Sequence, residues 1–307
     1  MIRTEKRNKM RTTFVNLMIE EARKNPNLEL LTGDLGFGVL KDYIREFPDR
    51  FTNCGIAEQN MLSMAGGMAS LGKMPIVYSI GNFPSLRPLE QIRNDVCYYN
   101  HNVKIICIGG GYTYGNLGMS HHATEDIAVL RSMPNMSIFA PADKKETEIV
   151  VKEMFANKSP CYLRLERDVA NELHGENEYI FGGIFPIVFD SCKTLLLSYG
   201  TIVNEAVNSN IKCSIGTVPI LKPINEKAII DELIKYKNVV TLEEHSVIGG
   251  LGDIIADIIA RNSLQVRLFK LGINDYFCHD VGSQNHLRKI NKIDSESLKA
   301  FFEENNL

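Results

Sequence analysis

This sequence of 307 residues has no tract of Lys and Arg interleaved with aromatics, and its formal net charge is −3. Both observations argue against a nucleic-acid-binding surface. No apolar run is long enough to span a membrane. The basic start, MIRTEKRNKMR, is not followed by the apolar stretch of a signal peptide. A CxxC pair is also missing: Cys54, Cys97, Cys107, Cys161, Cys192, Cys213 and Cys278 stand far apart and are odd in number. That spacing favours reduced thiols in a cytoplasmic protein over a disulfide framework or a zinc knot. The glycines of HSVIGGLGD, Gly249, Gly250 and Gly252, lack the GxGxxG spacing, and no Gly-Lys-Ser/Thr follows to make a P-loop. Close packing at a loop-to-helix transition is the expected role there.

What is present is a hydrophobic fraction of 44% on a chain long enough for a sizeable core and about two domains. Residues 10–24 space Phe14, Val15, Leu17, Met18 and Ala22 at a helical period. The runs LELLTGD, MPIVYSI, VKIICIGG, MSIFAPAD and SPCYLRLERD read as strands, with helices expected near 89–99, over TEDIAVLRSM and over KKETEIVVKEMFAN. This alternation predicts an α/β fold with a mostly parallel sheet covered on both faces. Composition changes over NELHGENEYIFGG, and a second strand-and-helix series follows, with helices near 226–236 and 249–261. The expected division is a first domain over 1–173, a linker over 174–185 and a smaller α/β domain over 186–307.

Two stretches concentrate chemistry. In FTNCGIAEQNMLSMAGGMASLG, Glu58 follows a short apolar segment and precedes a run of small residues suited to close helix packing. Such a carboxyl is either buried, and then neutral or specifically paired, or an exposed first-turn glutamate favoured by the helix dipole. In GGGYTYGNLGMSHHATED, His121 and His122 lie on a loop leaving the C-terminal end of a strand, where α/β enzymes place substrate. A structural histidine pair is the alternative, and neither has a set of metal ligands nearby. Thr124 is placed to cap the following helix, with Glu125 and Asp126 in its first turn. Arg164 and Arg167, three apart in a strand, face opposite sides of the sheet. One can reach an acidic ligand while the other makes a structural ion pair.

The words NCGIAEQN, LRPLEQIRND, GYTYGNLGMSHHATED, PNMSIFAPAD and TLEEHSVIGGLGD, in this order, resemble the C-terminal subunit of a split, transketolase-like thiamine diphosphate enzyme. The resemblance covers nearly the whole chain and implies a pyrimidine-binding domain followed by a transketolase C-terminal-type domain. It implies that Glu58 contacts N1′ of the cofactor aminopyrimidine and promotes the tautomer that removes the thiazolium C2 proton. A two-carbon ketol unit then passes from a ketose to an aldehyde. Phe83 resembles the ring that stacks on the aminopyrimidine, and Arg87 falls in the same cofactor-binding pattern. His121 resembles the histidine that bonds the donor sugar, with Glu125 orienting the site. Arg11 and Arg167 resemble the arginines that hold a distal phosphate. Two departures, Leu117 where an acid is usual and Gly109 where a histidine is usual, point to a modified or otherwise unusual sugar.

A GDG word followed by Asn, which would hold Mg2+ and the diphosphate, is missing. The resemblance therefore implies a separate N-terminal subunit carrying the metal ligands, and an α2β2 assembly that is active only when complete. Other readings are the beta subunit of a 2-oxo-acid dehydrogenase or acetoin-cleaving enzyme, a deoxyxylulose-phosphate synthase-like fragment, and a non-catalytic assembly subunit.

Overall fold

The computed structural model describes residues 10–36, 38–166, 172–174 and 179–307. Its strands, in chain order, are β1 (Leu28–Thr32), β2 (Phe51–Asn53), β3 (Met74–Ile80), β4 (Lys104–Ile108), β5 (Ser137–Phe139) and β6 (Cys161–Leu165). They continue with β7 (Phe185–Val188), β8 (Thr194–Ser198), β9 (Ser214–Thr217), β10 (Ile220–Lys222), β11 (Asn238–Ser246) and β12 (Arg267–Ile273). One sheet has the order β10-β5-β6-β4-β3-β1-β2, the other β12-β11-β8-β9-β7. Strands β1 to β6 pair in parallel, and only β10 joins their sheet antiparallel. In the second sheet β7 is the antiparallel member.

Side-chain alternation explains why both faces of the first sheet are covered. Leu28 and Leu30 of β1, with Ile106 and Ile108 of β4, face the helices Met10–Lys24 and Lys144–Ala156. Leu31, Ile105 and Cys107 face the opposite way, onto the helix Glu58–Ser70 and the segment Leu89–Cys97. A parallel sheet needs this two-sided burial, so its strands read as continuous apolar runs. The small residues of the Glu58–Ser70 helix act as expected: a side chain at Gly66 would come within 2.6 Å of the Asp95 carbonyl oxygen. The expected helix over 89–99 is instead a short α-turn, Leu89–Gln91, continued by π-helical Ile92–Cys97.

Two α/β domains are thus present, but their cores and sheets are joined. The core that holds Leu31 and Ile105 continues into Leu197, Tyr199, Val239 and Leu251, and β10 of the second half extends the first sheet. At the junction the Arg164 guanidinium, 3% exposed, lies 3.2 Å from Asp126 and donates to the carbonyls of Ala123 and Glu244. Arg164 therefore makes a structural ion pair, and Arg167 lies outside the described residues. All seven cysteines are unpaired, and no described helix is long and apolar enough to cross a membrane.

Candidate active site

The loops that follow β1, β2, β3 and β4 gather at the C-terminal edge of the first sheet. After β2, the Asn53 carboxamide accepts from the backbone N–H of Asp34 and of Gly55, each at 3.0 Å, and donates to the Asp34 carboxylate at 3.1 Å. This ties the β1 and β2 loops together and delivers the chain into the helix that Glu58 opens. The helix has no side-chain cap at Ala57, so an acidic first residue is favoured by the unsatisfied N–H groups there. Glu58 is 6% exposed, which selects the buried reading of this residue over the exposed one.

Its carboxylate is specifically paired. Arg87 Nη1 donates to Glu58 Oε1 at 3.0 Å, while the same guanidinium stacks 3.9 Å above the Phe83 ring. Phe83 is in turn 5.0 Å, centroid to centroid, from the tilted His121 ring. Three loops therefore bring a buried acid, a half-exposed guanidinium, an aromatic face and an imidazole into one continuous group. His121 is set by its own loop. Gly111 and Ala123 exchange backbone hydrogen bonds at 2.9 and 3.0 Å, Asn82 holds the His122 carbonyl at 3.1 Å, and Ser120 Oγ lies 3.1 Å from His121 Nδ1. Gly81, with φ of +52°, is required where this loop crosses β3, because a side chain there would sit 2.8 Å from the His121 carbonyl oxygen. Burial, reinforced by the Arg87 charge, lowers the His121 pKa and favours the neutral imidazole.

Other expected site residues sit apart from this group. Arg11 is on the Met10–Lys24 helix, within electrostatic reach of Tyr78, and among the described residues its buried Nε has no hydrogen-bond partner. Glu125 occupies the position before the helix Asp126–Arg131, where no side-chain cap forms, and Thr124 bonds the Glu125 carboxyl instead of capping. That corrects the expected Thr124 cap: its hydroxyl is already engaged by the neighbouring acid. Burial raises the Glu125 pKa, and the residue lines a cavity of about 270 Å³ with His122, Tyr112, Asn82 and Phe277. His122 itself is buried edge-on against Tyr112, a packed histidine rather than one facing the Phe83 group.

The glycines of HSVIGGLGD pack closely, as expected. The helix Leu251–Arg261 receives the protein's own anion: Glu243 accepts from the N–H groups of Leu251 and Gly252 at 2.6 and 2.7 Å. No nucleotide phosphate is needed to satisfy that N-terminus. Sequence reasoning missed Glu243 in this role, and it missed Asn82. A polar residue one glycine past the end of a strand is the signal that marks Asn82.

The donor set fits an aminopyrimidine. A buried carboxylate suits a ring nitrogen, and the Phe83 face suits a flat heterocycle at low polar cost. Among the described residues no group of three or more His, Cys, Asp or Glu side chains is placed to hold a metal ion.

Comparison with known proteins gives the same picture. The description "Transketolase, pyrimidine binding domain" matches residues 6–171, and "Transketolase, C-terminal domain" matches residues 186–298. A chain from Methanocaldococcus jannaschii, named as a putative transketolase C-terminal section, is 38% identical over 96% of both chains. A chain from Actinobacillus succinogenes, named as one of the subunits of an apulose-4-phosphate transketolase, is 32% identical over 83% of this chain and 85% of its own length. A solved split-gene transketolase, described as an inactive beta4 tetramer, superposes with a TM-score of 0.83 at 29% identity, covering 97% of each chain. The transketolase of Campylobacter jejuni shares the fold, with a TM-score of 0.81 at 17% identity, and this chain spans 47% of it. With both family domains matched in order along a chain whose sheet edge assembles Glu58, Arg87, Phe83 and His121, the protein belongs to the transketolase family.

Proposed function

We propose that this chain is the pyrimidine-binding subunit of a two-subunit transketolase that moves a two-carbon ketol unit from a ketose to an aldehyde acceptor. The observation that carries the reading is the convergence of buried Glu58, Arg87, Phe83 and His121 at one sheet edge. Thiamine diphosphate, when bound, supplies the electron sink that lets the ketose C2–C3 bond break and a new bond form to the acceptor. Glu58 holds and shares a proton at the aminopyrimidine N1′, Phe83 receives the flat ring, and Arg87 fixes the Glu58 carboxylate. Neutral His121 bonds the donor near its carbonyl and hydroxyl. Arg11 and Arg167 receive the far end of the donor, and Glu125 orients the loop that carries His121. The functional boundaries proposed are 1–173, a linker at 174–185 and 186–307.

The diphosphate and Mg2+ belong to an N-terminal partner subunit in this reading, with an α2β2 assembly in the cytoplasm. The relatives named as subunits support the partner, and the unpaired cysteines support a reducing compartment. A 6-deoxy-6-sulfo-D-fructose transketolase subunit from a Clostridium species, 31% identical over 91% of this chain, supports an unusual sugar, as do Leu117 and Gly109. The test is co-purification with the neighbouring subunit and product analysis with ketose, aldehyde, thiamine diphosphate and Mg2+. Glu58→Gln should lower kcat by about 100-fold or more at saturating cofactor with an unchanged melting temperature. Undiminished turnover in that variant sinks the proposal.

A further inference from the structure

Tyr114 shares a loop with His121 and has no part in the roles assigned above. Strand β4 ends at Ile108, and Gly109 follows with φ of +93°. A side chain at Gly109 would begin 2.3 Å from Tyr114 Cε2 and 2.5 Å from Cδ2. The ring therefore lies directly on the backbone at the mouth of β4, and it is 8% exposed. Its centroid is 6.5 Å from that of His121, at an interplanar angle of 57°. The loop holds it there: Leu117 N–H donates to the Tyr114 carbonyl at 2.8 Å, and the Gly111–Ala123 pair closes the loop at its base. Those bonds fix the backbone from which the Tyr114 ring projects.

Tyr78 lies within electrostatic reach of both Arg11 and Tyr114. A buried aromatic wall beside His121 leaves less room for a long donor than a small side chain there would.

We propose that Tyr114 is a specificity-determining residue: seated on Gly109 beside His121, its ring bounds the donor cleft and selects ketoses whose far end is compact. This rests on the ketol-transfer reading above. Pocket size alone discriminates by about 10-fold to 200-fold, which sets the scale of the effect. The assembled two-subunit enzyme is assayed with five-, six- and seven-carbon 2-ketoses, each with and without a terminal phosphate. In Tyr114→Ala, kcat/KM for the seven-carbon donors should rise relative to the five-carbon donors by about tenfold or more. Tyr114→Phe keeps the ring, and so should keep the size order. Tyr114→Leu, read by the same ratio, covers an alanine variant that does not fold.

A ratio that stays within about twofold of wild type, in a variant that still melts normally and binds its partner, overturns the inference and leaves the function standing. A wild-type enzyme that transfers nothing from any of these ketoses overturns the functional reading, and the inference with it.

Discussion

Phe83 presents its face to a guanidinium 3.9 Å away and a second flank to the tilted His121 ring. A face that attracts a flat, polar, delocalised group in this chain has the quadrupole and the access to take an aminopyrimidine. Because the side chain is only half-buried, truncating it opens little cavity. Phe83→Ala should therefore raise the thiamine diphosphate Kd of the assembled enzyme by about tenfold while moving the melting temperature by only about 3 °C. Calorimetric titration and thermal unfolding measure the two effects, and an unchanged Kd removes Phe83 from the site. At this scale Glu58 and His121 stood out by residue type and position, with structural alternatives left open, while Phe83 and Arg87 entered only through the family resemblance. Of the two arginines expected on opposite faces of a strand, Arg164 is buried, and Arg167 lies outside the described residues. Tyr114 was not legible, because its importance lies in a clearance to Gly109 that appears only when the loop closes.

Elements of five residues or more, such as β1, β3, β4 and the Lys144–Ala156 helix, carry enough apolar period to be read directly. Strands β2 and β10, of three residues each, and β7 and β9, of four, are too short for alternation to mark. Nor does side-chain type announce that an α-turn at Leu89–Gln91 will widen into a π-helix. The start of the Leu251–Arg261 helix shows a second limit: its N–H groups are met by Glu243, from a different strand, so no local cap signal exists. Burial outweighs those two donors and pushes the Glu243 pKa up to about 7, and burial beside Glu244 does the same for Glu166. A carboxyl whose folded value exceeds its ordinary 4.5 binds its proton more tightly in the native chain than in the unfolded one. Its stabilising contribution is whole below about pH 4.5 and is lost as pH rises through about 7. Urea denaturation across that window should show stability falling less steeply for Glu243→Gln than for wild type, by at most about 1.4 kcal/mol per pH unit. Parallel curves for the two proteins would show that Glu243 does not titrate there.

At the scale of the whole chain, the division into two domains was legible and their interlocking was not. The composition change led to an expected linker over 174–185, and β10, from beyond it, completes the first sheet by pairing with β5. The Asp126–Arg164 pair sits between the halves, with Tyr162 donating to Asp126 at 2.6 Å and Arg164 reaching the Glu244 carbonyl. A shared core, a shared sheet and a buried ion pair make independent unfolding of either half expensive. The chain should therefore unfold in one calorimetric transition, with equal calorimetric and van 't Hoff enthalpies, although two separate domains ordinarily need not. Arg164→Met keeps much of the side-chain length but leaves the Asp126 carboxylate buried without its cation. The cost expected is about 3–5 kcal/mol, and because it falls on the contacts that join the halves, the single transition should split into two. Two transitions already resolved in wild type would mean that the ties across the junction are weaker than the geometry implies. A single transition retained in Arg164→Met at lower temperature would assign the coupling to β10 and the shared core instead.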